Sequence, residues 1–385
     1  AVLASFLSGK WLSSGENVYK FERKLSEAFN ERHALMVNSG SSANLVMLAA
    51  LKHYFGWEDG SEVIVSVVGF PTTVSPISQN KLTPVFVDIE FDTLNFDLNL
   101  IEDKITSKTK AIFVSPVLGN SPDMDRLAEI AKANNILIIM DGCDSMGSKW
   151  GGKYLQEYST ACSYSFYPAH HITTGEGGAV SSNIDELISL ARSFAWWGRD
   201  CYCVGSANLL ACGTCGKRFD KWLDNYDGEI DHKYVFKVMG YNLKPLDLQG
   251  AIGVEQLKKL KDIHSRRRYN KDFLQEVFET IPGIRVPNEL EKAETSWFGL
   301  PIICKDKAQK TKLVAYLEEN RIQTRNYFAG NILLHPGYEA LGDHSKYPEA
   351  NKVLDLVFFI GVSPTYTEET LDYIKEVVQN YGITS

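Results

Sequence analysis

Residues 165–180 read SFYPAHHITTGEGGAV, and they mark the place where a strand gives way to a loop. The aromatic-rich run at 162–167 predicts a short strand, Pro168 breaks it, and the glycines at 175, 177 and 178 predict a turn. Open α/β folds bind ligands at such strand ends. We therefore expect His170 and His171 to lie in a site; the alternative is a pair of solvated loop histidines.

Four other apolar runs predict buried strands. Helical stretches such as DRLAEIAKANN separate some of them, and near-continuous β-branched runs that alternate with helices are typical of a mostly parallel sheet covered on both faces. The sequence therefore predicts an α/β fold. The four runs are residues 63–68, 84–89, 111–117 and 136–141.

Polar or aromatic residues follow two of these runs and a further apolar strand, which the sequence HALMV before residue 39 predicts. Ser39, Gly40, Ser41 and Ser42 precede a helix, where free backbone N–H groups and hydroxyls suit a phosphate, although a simple helix cap is the alternative. A carboxylate and an aromatic side chain follow two other runs. Asp141 ends the 136–141 run, where an unpaired carboxylate would be costly. Phe70 follows the 63–68 run, and its alternative is a core position.

Composition limits the class of protein. A chain of 385 residues is long enough for two domains, and 44% hydrophobic with 23% charged residues is ordinary for a soluble protein. A net charge of −8 without a sustained basic run gives no support for nucleic-acid binding. No run approaches the length of a membrane helix and no signal peptide opens the chain, so we expect a cytoplasmic protein with no membrane partner. We also expect the natural chain to begin upstream of Ala1.

Seven cysteines are present, and four lie between residues 201 and 215. Cys201, Cys203, Cys212 and Cys215 have spacings that suit a zinc site, and they are equally compatible with reduced thiols in a loop. A third interpretation joins Cys143 to Cys201 and Cys203, with one more cysteine, around an iron–sulfur cluster.

Residues 165–180 resemble the active-site loop of the DegT/DnrJ/EryC1/StrS sugar aminotransferase family, whose pattern is roughly SFxxxKxxTTGEGG. His170 stands at the position of the family lysine that forms a Schiff base with pyridoxal phosphate, and no lysine lies between Lys153 and Lys217. The resemblance therefore implies a non-covalent cofactor, pyridoxamine or pyridoxal phosphate, with His170 as the catalytic base. YPAHHIT is similar to one branch of the family, the nucleotide-sugar 3-dehydrases of 3,6-dideoxyhexose and O-antigen biosynthesis.

This resemblance also implies the fold and the residues that bind the cofactor. It predicts a fold-type I, aspartate aminotransferase-like large domain at 1–256 with a cysteine-rich loop at 196–219, and a smaller C-terminal α/β domain at 257–385. Within KVMGYNLKPLDLQGAIGVEQL, Asn242 matches a residue that reaches the cofactor phosphate of a neighbouring subunit, which implies a homodimer with shared active sites. The predicted cofactor-binding residues are Gly40, Ser41, Ser42, Phe70, Asp141, Asp144, Ser165 and Asn242.

By the same resemblance, the cysteines bind a [2Fe–2S] cluster. Cys143, Cys201, Cys203 and Cys215 are the predicted ligands, with Cys212 as the alternative fourth. The implied partners are a nucleotide 4-keto-6-deoxyhexose, CDP-linked as the first choice, and an NAD(P)H-dependent flavin or iron–sulfur reductase. A cluster-free dehydratase and a cofactor-binding regulatory pseudoenzyme remain as alternatives. An aminotransferase would need the Schiff-base lysine, which this chain does not supply.

Two residues of RNYFAGNILLHPGY, namely 325 and 331, are substrate-side candidates.

Overall fold

The computed structural model describes residues 2–7, 12–200 and 218–384. The chain divides into two compact units, and each is built from two separate stretches of sequence. Unit 1 consists of Ala1–Asp59 and Thr160–Leu260, and unit 2 consists of Gly60–Ser159 and Lys261–Ser385. The predicted boundary between residues 256 and 257 remains a prediction.

Helices and strands alternate through most of the described chain. The helices are α1 Val2–Leu7, α2 Glu16–Ala28, α3 Gly40–Tyr54, α4 Pro71–Gln79, α5 Met124–Ala133, α6 Asp185–Ala195, α7 Asp247–Leu257, α8 Leu260–Phe278, α9 Lys307–Glu319, α10 Pro348–Leu356 and α11 Glu368–Thr384. The strands are β1 His33–Val37, β2 Glu62–Ser66, β3 Thr83–Val87, β4 Ile89–Glu90, β5 Asn95–Phe96, β6 Thr109–Val114, β7 Leu137–Asp141, β8 Lys149–Trp150, β9 Lys153–Tyr154, β10 Ala161–Ser165, β11 Gly178–Ser182, β12 Phe219–Asp220, β13 Ile230–Asp231, β14 Ala293–Glu294, β15 Gly299–Ile303, β16 Thr324–Asn326 and β17 Val357–Gly361.

Four parallel strands form the main sheet of unit 2, in the order β7, β6, β2, β3. They correspond to the four apolar runs of the sequence, and the strand predictions are confirmed apart from small differences at the ends. Residues of β2, β6 and β7 are almost all buried, as expected for strands covered on both faces. Parallel strands end at the same edge of a sheet, so the residues that follow β2 and β7 are brought to one side.

The C-terminal part of unit 2 contains its own antiparallel sheet, in the order β15, β17, β16. Its core is apolar and aromatic, and includes Phe278, Trp297, Leu300 and Phe358. Short strands and helices alternate in this part of the chain after α8. Among the described residues, no helix has the length and apolar character needed to cross a membrane.

In unit 1, β11 pairs antiparallel with both β1 and β10. Helix α2 packs on α7, and a buried carboxylate of α7 accepts hydrogen bonds from the first turn of α2. Asp247 accepts hydrogen bonds from the backbone N–H groups of Asn17 at 2.9 Å and Val18 at 3.1 Å. Asp247 lies 230 residues after Asn17 in the sequence. Its second oxygen accepts from the Asn17 side-chain amide at 2.7 Å. Asp247 therefore caps the first turn of α2 from a distant part of the chain.

Candidate functional site

A carboxylate stands at the end of β7, where the sequence predicts a ligand-binding group. Asp141 is only 5% exposed, and its two oxygens accept hydrogen bonds from different elements. Oδ2 accepts from the Thr73 hydroxyl at 2.7 Å, and Oδ1 accepts from the Cys143 backbone N–H at 3.2 Å. The carboxylate is therefore held in one orientation by α4 on one side and by its own turn on the other.

Asp144 lies one turn further along, close to the same carboxylate. Its Oδ2 accepts a hydrogen bond from the Leu118 N–H at 3.2 Å. Burial, reinforced by the negative charge of Asp141, raises the pKa of Asp144 to about 7, while the Leu118 N–H and the Arg267 guanidinium act in the opposite direction. Buried carboxylates that lie near each other are typical of functional sites.

Phe70 follows β2 and precedes the first turn of α4. Its side chain is 51% exposed, so the alternative of a core position is wrong. The ring makes an edge-to-face contact with Phe328, with ring centroids 5.8 Å apart. Since Thr73 lies in the first turn of the same helix, α4 begins with both an accessible aromatic ring and the hydroxyl that holds Asp141.

The predicted phosphate-binding segment of unit 1 is the start of α3. The helix begins at Gly40, and Ser39 is its N-cap, accepting a hydrogen bond from the Ser42 N–H at 3.1 Å. Gly178 lies against this turn: a Cβ atom there would come within 2.3 Å of the Ser39 carbonyl oxygen. The helix start thus combines a capping hydroxyl, backbone N–H groups and a close backbone neighbour, which suits a bound anion.

The loop between β10 and β11 is closed by hydrogen bonds between its two sides. The Phe166 N–H donates to the Gly177 carbonyl at 2.8 Å, and the Thr174 N–H donates to the Phe166 carbonyl at 2.9 Å. The Thr173 hydroxyl donates to the same carbonyl at 2.9 Å. Gly175 has a φ of 87°, a left-handed conformation that glycine adopts without strain. The TTGEGG sequence therefore forms a defined turn.

The two histidines of this loop have different environments. His171 is 2% exposed, whereas His170 is half-buried and so retains contact with solvent. Ser165, at the end of β10, is buried, and its hydroxyl accepts a hydrogen bond from the Tyr167 N–H at 3.4 Å. Of the pair, His170 is the histidine that a ligand can reach.

Asn242 is exposed, and its side-chain oxygen accepts a hydrogen bond from the Lys244 ammonium group. That ammonium lies 3.2 Å from the ring centroid of Trp197. Burial, with a smaller contribution from Arg199, lowers the pKa of Lys244 to about 8. An exposed amide beside a cation is compatible with a phosphate ligand.

Only one of the predicted cluster ligands falls within the described residues. Cys143 is half-buried, and the other ligand predictions, Cys201, Cys203, Cys215 and the alternative Cys212, lie outside the described part of the chain. Within residues 2–7, 12–200 and 218–384, no group of three or more His, Cys, Asp or Glu side chains is arranged to hold a metal ion. The two cysteines at 162 and 304 are buried.

The two substrate-side candidates of the C-terminal part differ. Arg325 is exposed on β16. Asn331 is fully buried: its amide nitrogen donates to the Asn351 side chain at 2.7 Å, and its oxygen accepts from the Leu333 N–H at 3.0 Å. Asn331 caps a short 3-10 helix, and the prediction that it contacts substrate is wrong because both of its polar atoms serve the fold.

The sequence pattern of the DegT/DnrJ/EryC1/StrS aminotransferase family matches residues 1–379. The chain belongs to this family. The resemblance predicted from the residues around His170 is therefore confirmed. Within the family, lipopolysaccharide biosynthesis protein RfbH of Salmonella typhimurium is 39% identical over 383 residues, 96% of this chain and 86% of that protein.

Two further relatives are named 3-dehydratases. The dTDP-4-dehydro-2,6-dideoxy-D-glucose 3-dehydratase of Saccharopolyspora spinosa is 39% identical over 378 residues, 96% of this chain and 81% of that protein. A solved structure of E. coli GDP-4-keto-6-deoxy-D-mannose-3-dehydratase with bound hydrated PLP has a TM-score of 0.86 at 30% identity, covering 98% of this chain and 95% of that one. The fold-type I prediction is confirmed, and so is that of an enzyme, since close relatives are named nucleotide-sugar 3-dehydratases.

The residues of each unit fit the pyridoxal or pyridoxamine phosphate of this family. In unit 2, Asp141 offers a fixed carboxylate and Phe70 an accessible ring. In unit 1, the start of α3 offers donors for a phosphate. The half-buried imidazole of His170 remains the predicted base.

Sequence reasoning missed the residues that orient these groups. Thr73 and Leu118, which donate hydrogen bonds to Asp141 and Asp144, lie far from those carboxylates in sequence. Arg267 is buried on α8, and its guanidinium donates to the Phe298 carbonyl at 3.0 Å. A buried arginine has no local signature. The Phe-Pro-Thr-Thr segment after β2 was the one usable signal, because it places a hydroxyl in the first turn of a helix at a strand end.

Proposed function

We propose that this protein dehydrates a nucleotide-linked 4-keto-6-deoxyhexose at carbon 3, with pyridoxamine phosphate as cofactor and His170 as base. The observation that carries the proposal is the half-buried His170, which lies just before the hydrogen-bonded TTGEGG turn, where the resemblance places the family lysine. An imidazole cannot capture the cofactor covalently, so transamination is not supported. Proton transfer remains available to it.

Each of the other predicted residues has a role in holding the cofactor. Asp141 would pair with the pyridine nitrogen and keep it protonated, and Thr73 would keep that carboxylate in place. Phe70 would stack on the ring. The phosphate would be held on one subunit by Gly40, Ser41, Ser42 and Ser165, and Asn242 of a second copy would reach it in a homodimer. Asp144 would lie near the ring hydroxyl.

When bound, the cofactor supplies a primary amine that reacts with the sugar ketone and a ring that accepts electrons. His170 moves a proton between its imidazole and the methylene carbon next to that amine, and the hydroxyl on sugar carbon 3 leaves. Imidazole is the side chain that most often takes up and releases protons near neutral pH, which suits both halves of this transfer. The exposed Arg325 is the candidate for binding the substrate's negative charge.

A [2Fe–2S] cluster on Cys143, Cys201, Cys203 and Cys215 is the finer part of the proposal. Such a cluster would pass two electrons, one at a time, to the dehydrated sugar, and an NAD(P)H-dependent flavin or iron–sulfur protein would then reduce the cluster again. What supports it is the sequence resemblance together with the place of the half-buried Cys143, whose backbone N–H donates to Asp141. We further propose a CDP-linked substrate, a cytoplasmic location and a contribution to lipopolysaccharide O-antigen sugars.

The cluster is tested by the visible spectrum of anaerobically purified protein, with iron, zinc and acid-labile sulfide assays. About two irons and two sulfides per chain are expected for one [2Fe–2S] centre, and Cys201→Ala should remove the absorbance. Full dehydration activity in a colourless protein would refute the cluster and favour the cluster-free dehydratase.

The role of His170 is tested by solvent deuterium exchange at the methylene carbon of bound pyridoxamine phosphate. His170→Asn should abolish exchange and leave cofactor binding intact. Tyr167→Phe changes an exposed side chain of the same loop but keeps the imidazole, so it serves as the control and should exchange normally. Exchange in His170→Asn at the wild-type rate would exclude the base. A wild-type protein that binds the cofactor but exchanges nothing would be a regulatory pseudoenzyme.

A further inference from the structure

The accessible ring of Phe70 does not stand alone. Its contact with Phe328 is edge-to-face, with an interplanar angle of 79°. Phe328 in turn packs against Phe359, with centroids 5.6 Å apart, and against Phe298 at 6.4 Å. Phe328 thus connects the exposed ring at the start of α4 to the aromatic core beside β15 and β17.

The backbone at Phe328 is strained. Its φ is 46°, a left-handed conformation that is unfavourable for a residue with a bulky side chain. Two other left-handed residues, Leu118 at 53° and Trp297 at 29°, lie in the same region. They are linked to Phe328 through Phe298, whose N–H donates to the Leu118 carbonyl at 2.9 Å. Such strain persists only where the surrounding structure imposes it, and it is concentrated at functional sites.

Hydrogen bonds hold the loop of Phe328 against the segment that carries Phe70. The Ile332 N–H donates to the Val67 carbonyl at 3.0 Å, and the Ala329 N–H donates to the Gly69 carbonyl at 3.4 Å. Further along, the hydroxyls of Tyr338 and Ser75 are 2.6 Å apart. Before Phe328, the chain is held by the pairing of β16 with β17. The Phe328 side chain is therefore presented to Phe70 by a loop that is fixed on both sides of this residue.

We propose that Phe328 is a positioning residue that fixes the orientation of the Phe70 ring before the cofactor binds. This inference rests on the proposed function, because the need for a fixed ring comes from its stacking on the cofactor. A half-exposed phenylalanine at a helix start otherwise exchanges between rotamers, and a ring already in its stacking orientation loses less freedom on binding. Phe328 supplies that orientation through its edge contact.

The test is a double-mutant cycle on pyridoxamine phosphate affinity, measured by titration of the full-length apoprotein without substrate. The variants are Phe70→Leu, Phe328→Leu and the double variant. Phe328→Leu should weaken binding about three- to tenfold, the worth of one aromatic pair, and reduce the circular dichroism of the bound cofactor. In the Phe70→Leu background the same change should have no further effect. Phe328→Tyr keeps the ring and should bind normally.

The control variant is Phe273→Leu, which removes a half-buried ring of α8 that packs elsewhere in the same unit and should leave affinity unchanged. Equal losses from Phe328→Leu in both backgrounds would overturn the inference, because Phe328 would then act independently of Phe70. Wild-type affinity in Phe328→Leu would overturn it too. A wild-type protein that fails to bind pyridoxamine phosphate would remove the proposed function and this inference together.

Discussion

Replacing Thr73 with valine should loosen the Asp141 carboxylate while keeping the volume of the side chain. The Thr73 hydroxyl donates to Asp141 Oδ2 at 2.7 Å, and the two residues are 3% and 5% exposed. A hydrogen bond to a charged group contributes about 1.5 to 3 kcal/mol to stability. The Cys143 N–H on the other oxygen remains. We therefore expect the free energy of unfolding of Thr73→Val to fall by about 1.5 to 3 kcal/mol.

Urea unfolding of the apoprotein measures this effect against two matched variants. Thr73→Ser keeps the hydroxyl and loses one methyl group, which should cost about 1 kcal/mol. Thr311→Val makes the same change on α9, where the hydroxyl donates to the Lys307 carbonyl at 2.9 Å, a neutral bond worth about 0.5 to 1.5 kcal/mol. In parallel, Thr73→Val should bind pyridoxamine phosphate less tightly than Thr73→Ser. If Thr73→Val is no less stable than Thr311→Val and binds the cofactor like wild type, the argument that Thr73 holds Asp141 is refuted.

Three more predictions concern the loop, the phosphate-binding turn and pH. His170→Lys should allow covalent capture of pyridoxal phosphate, seen as cofactor retained after borohydride reduction and denaturation; no trapped cofactor would mean that residue 170 lies elsewhere. Gly178→Ala places a Cβ 2.3 Å from the Ser39 carbonyl, so it should weaken binding of pyridoxal phosphate more than of pyridoxal; equal losses would count against a phosphate site. Burial, then the charge of Arg268, lowers the pKa of His264 to about 4. As the pH falls, the unfolded chain therefore binds a proton at this histidine before the folded protein does. The free energy of unfolding, measured by denaturant titration, should fall by about 2 to 3 kcal/mol from pH 6.5 to 4. An equally steep decline in His264→Gln would contradict this.

The strands and their ends could be predicted because the signals are local. A run of β-branched residues that must be buried on both faces is visible without any partner, and β2, β6 and β7 follow such runs closely. Asp141 at the end of β7 was predictable for the same reason.

The orientation of the site residues could not be predicted, because it depends on contacts between distant parts of the chain. The hydrogen bond from Thr73 to Asp141 spans 68 positions. Phenylalanine is usually a core residue, and only the three-dimensional structure, in which Phe70 is 51% exposed, shows that its ring is accessible. The prediction for Asn331 was wrong in the opposite direction. Its polar loop context suggested a residue that contacts substrate, but its side-chain amide caps a short helix.

The cap that Asp247 places on α2 has a consequence for how the chain is made. Asn17 leaves the ribosome 230 residues before the carboxylate that caps its helix, which at roughly 5 to 20 residues per second is a delay on the order of ten to fifty seconds. During that time the first turn of α2 is not capped by Asp247. In the early part of this interval, β11 has not been synthesised, so β1 cannot pair with it. Nascent chains arrested before residue 247 should therefore be cut by protease near α2, and chains arrested well beyond it should resist.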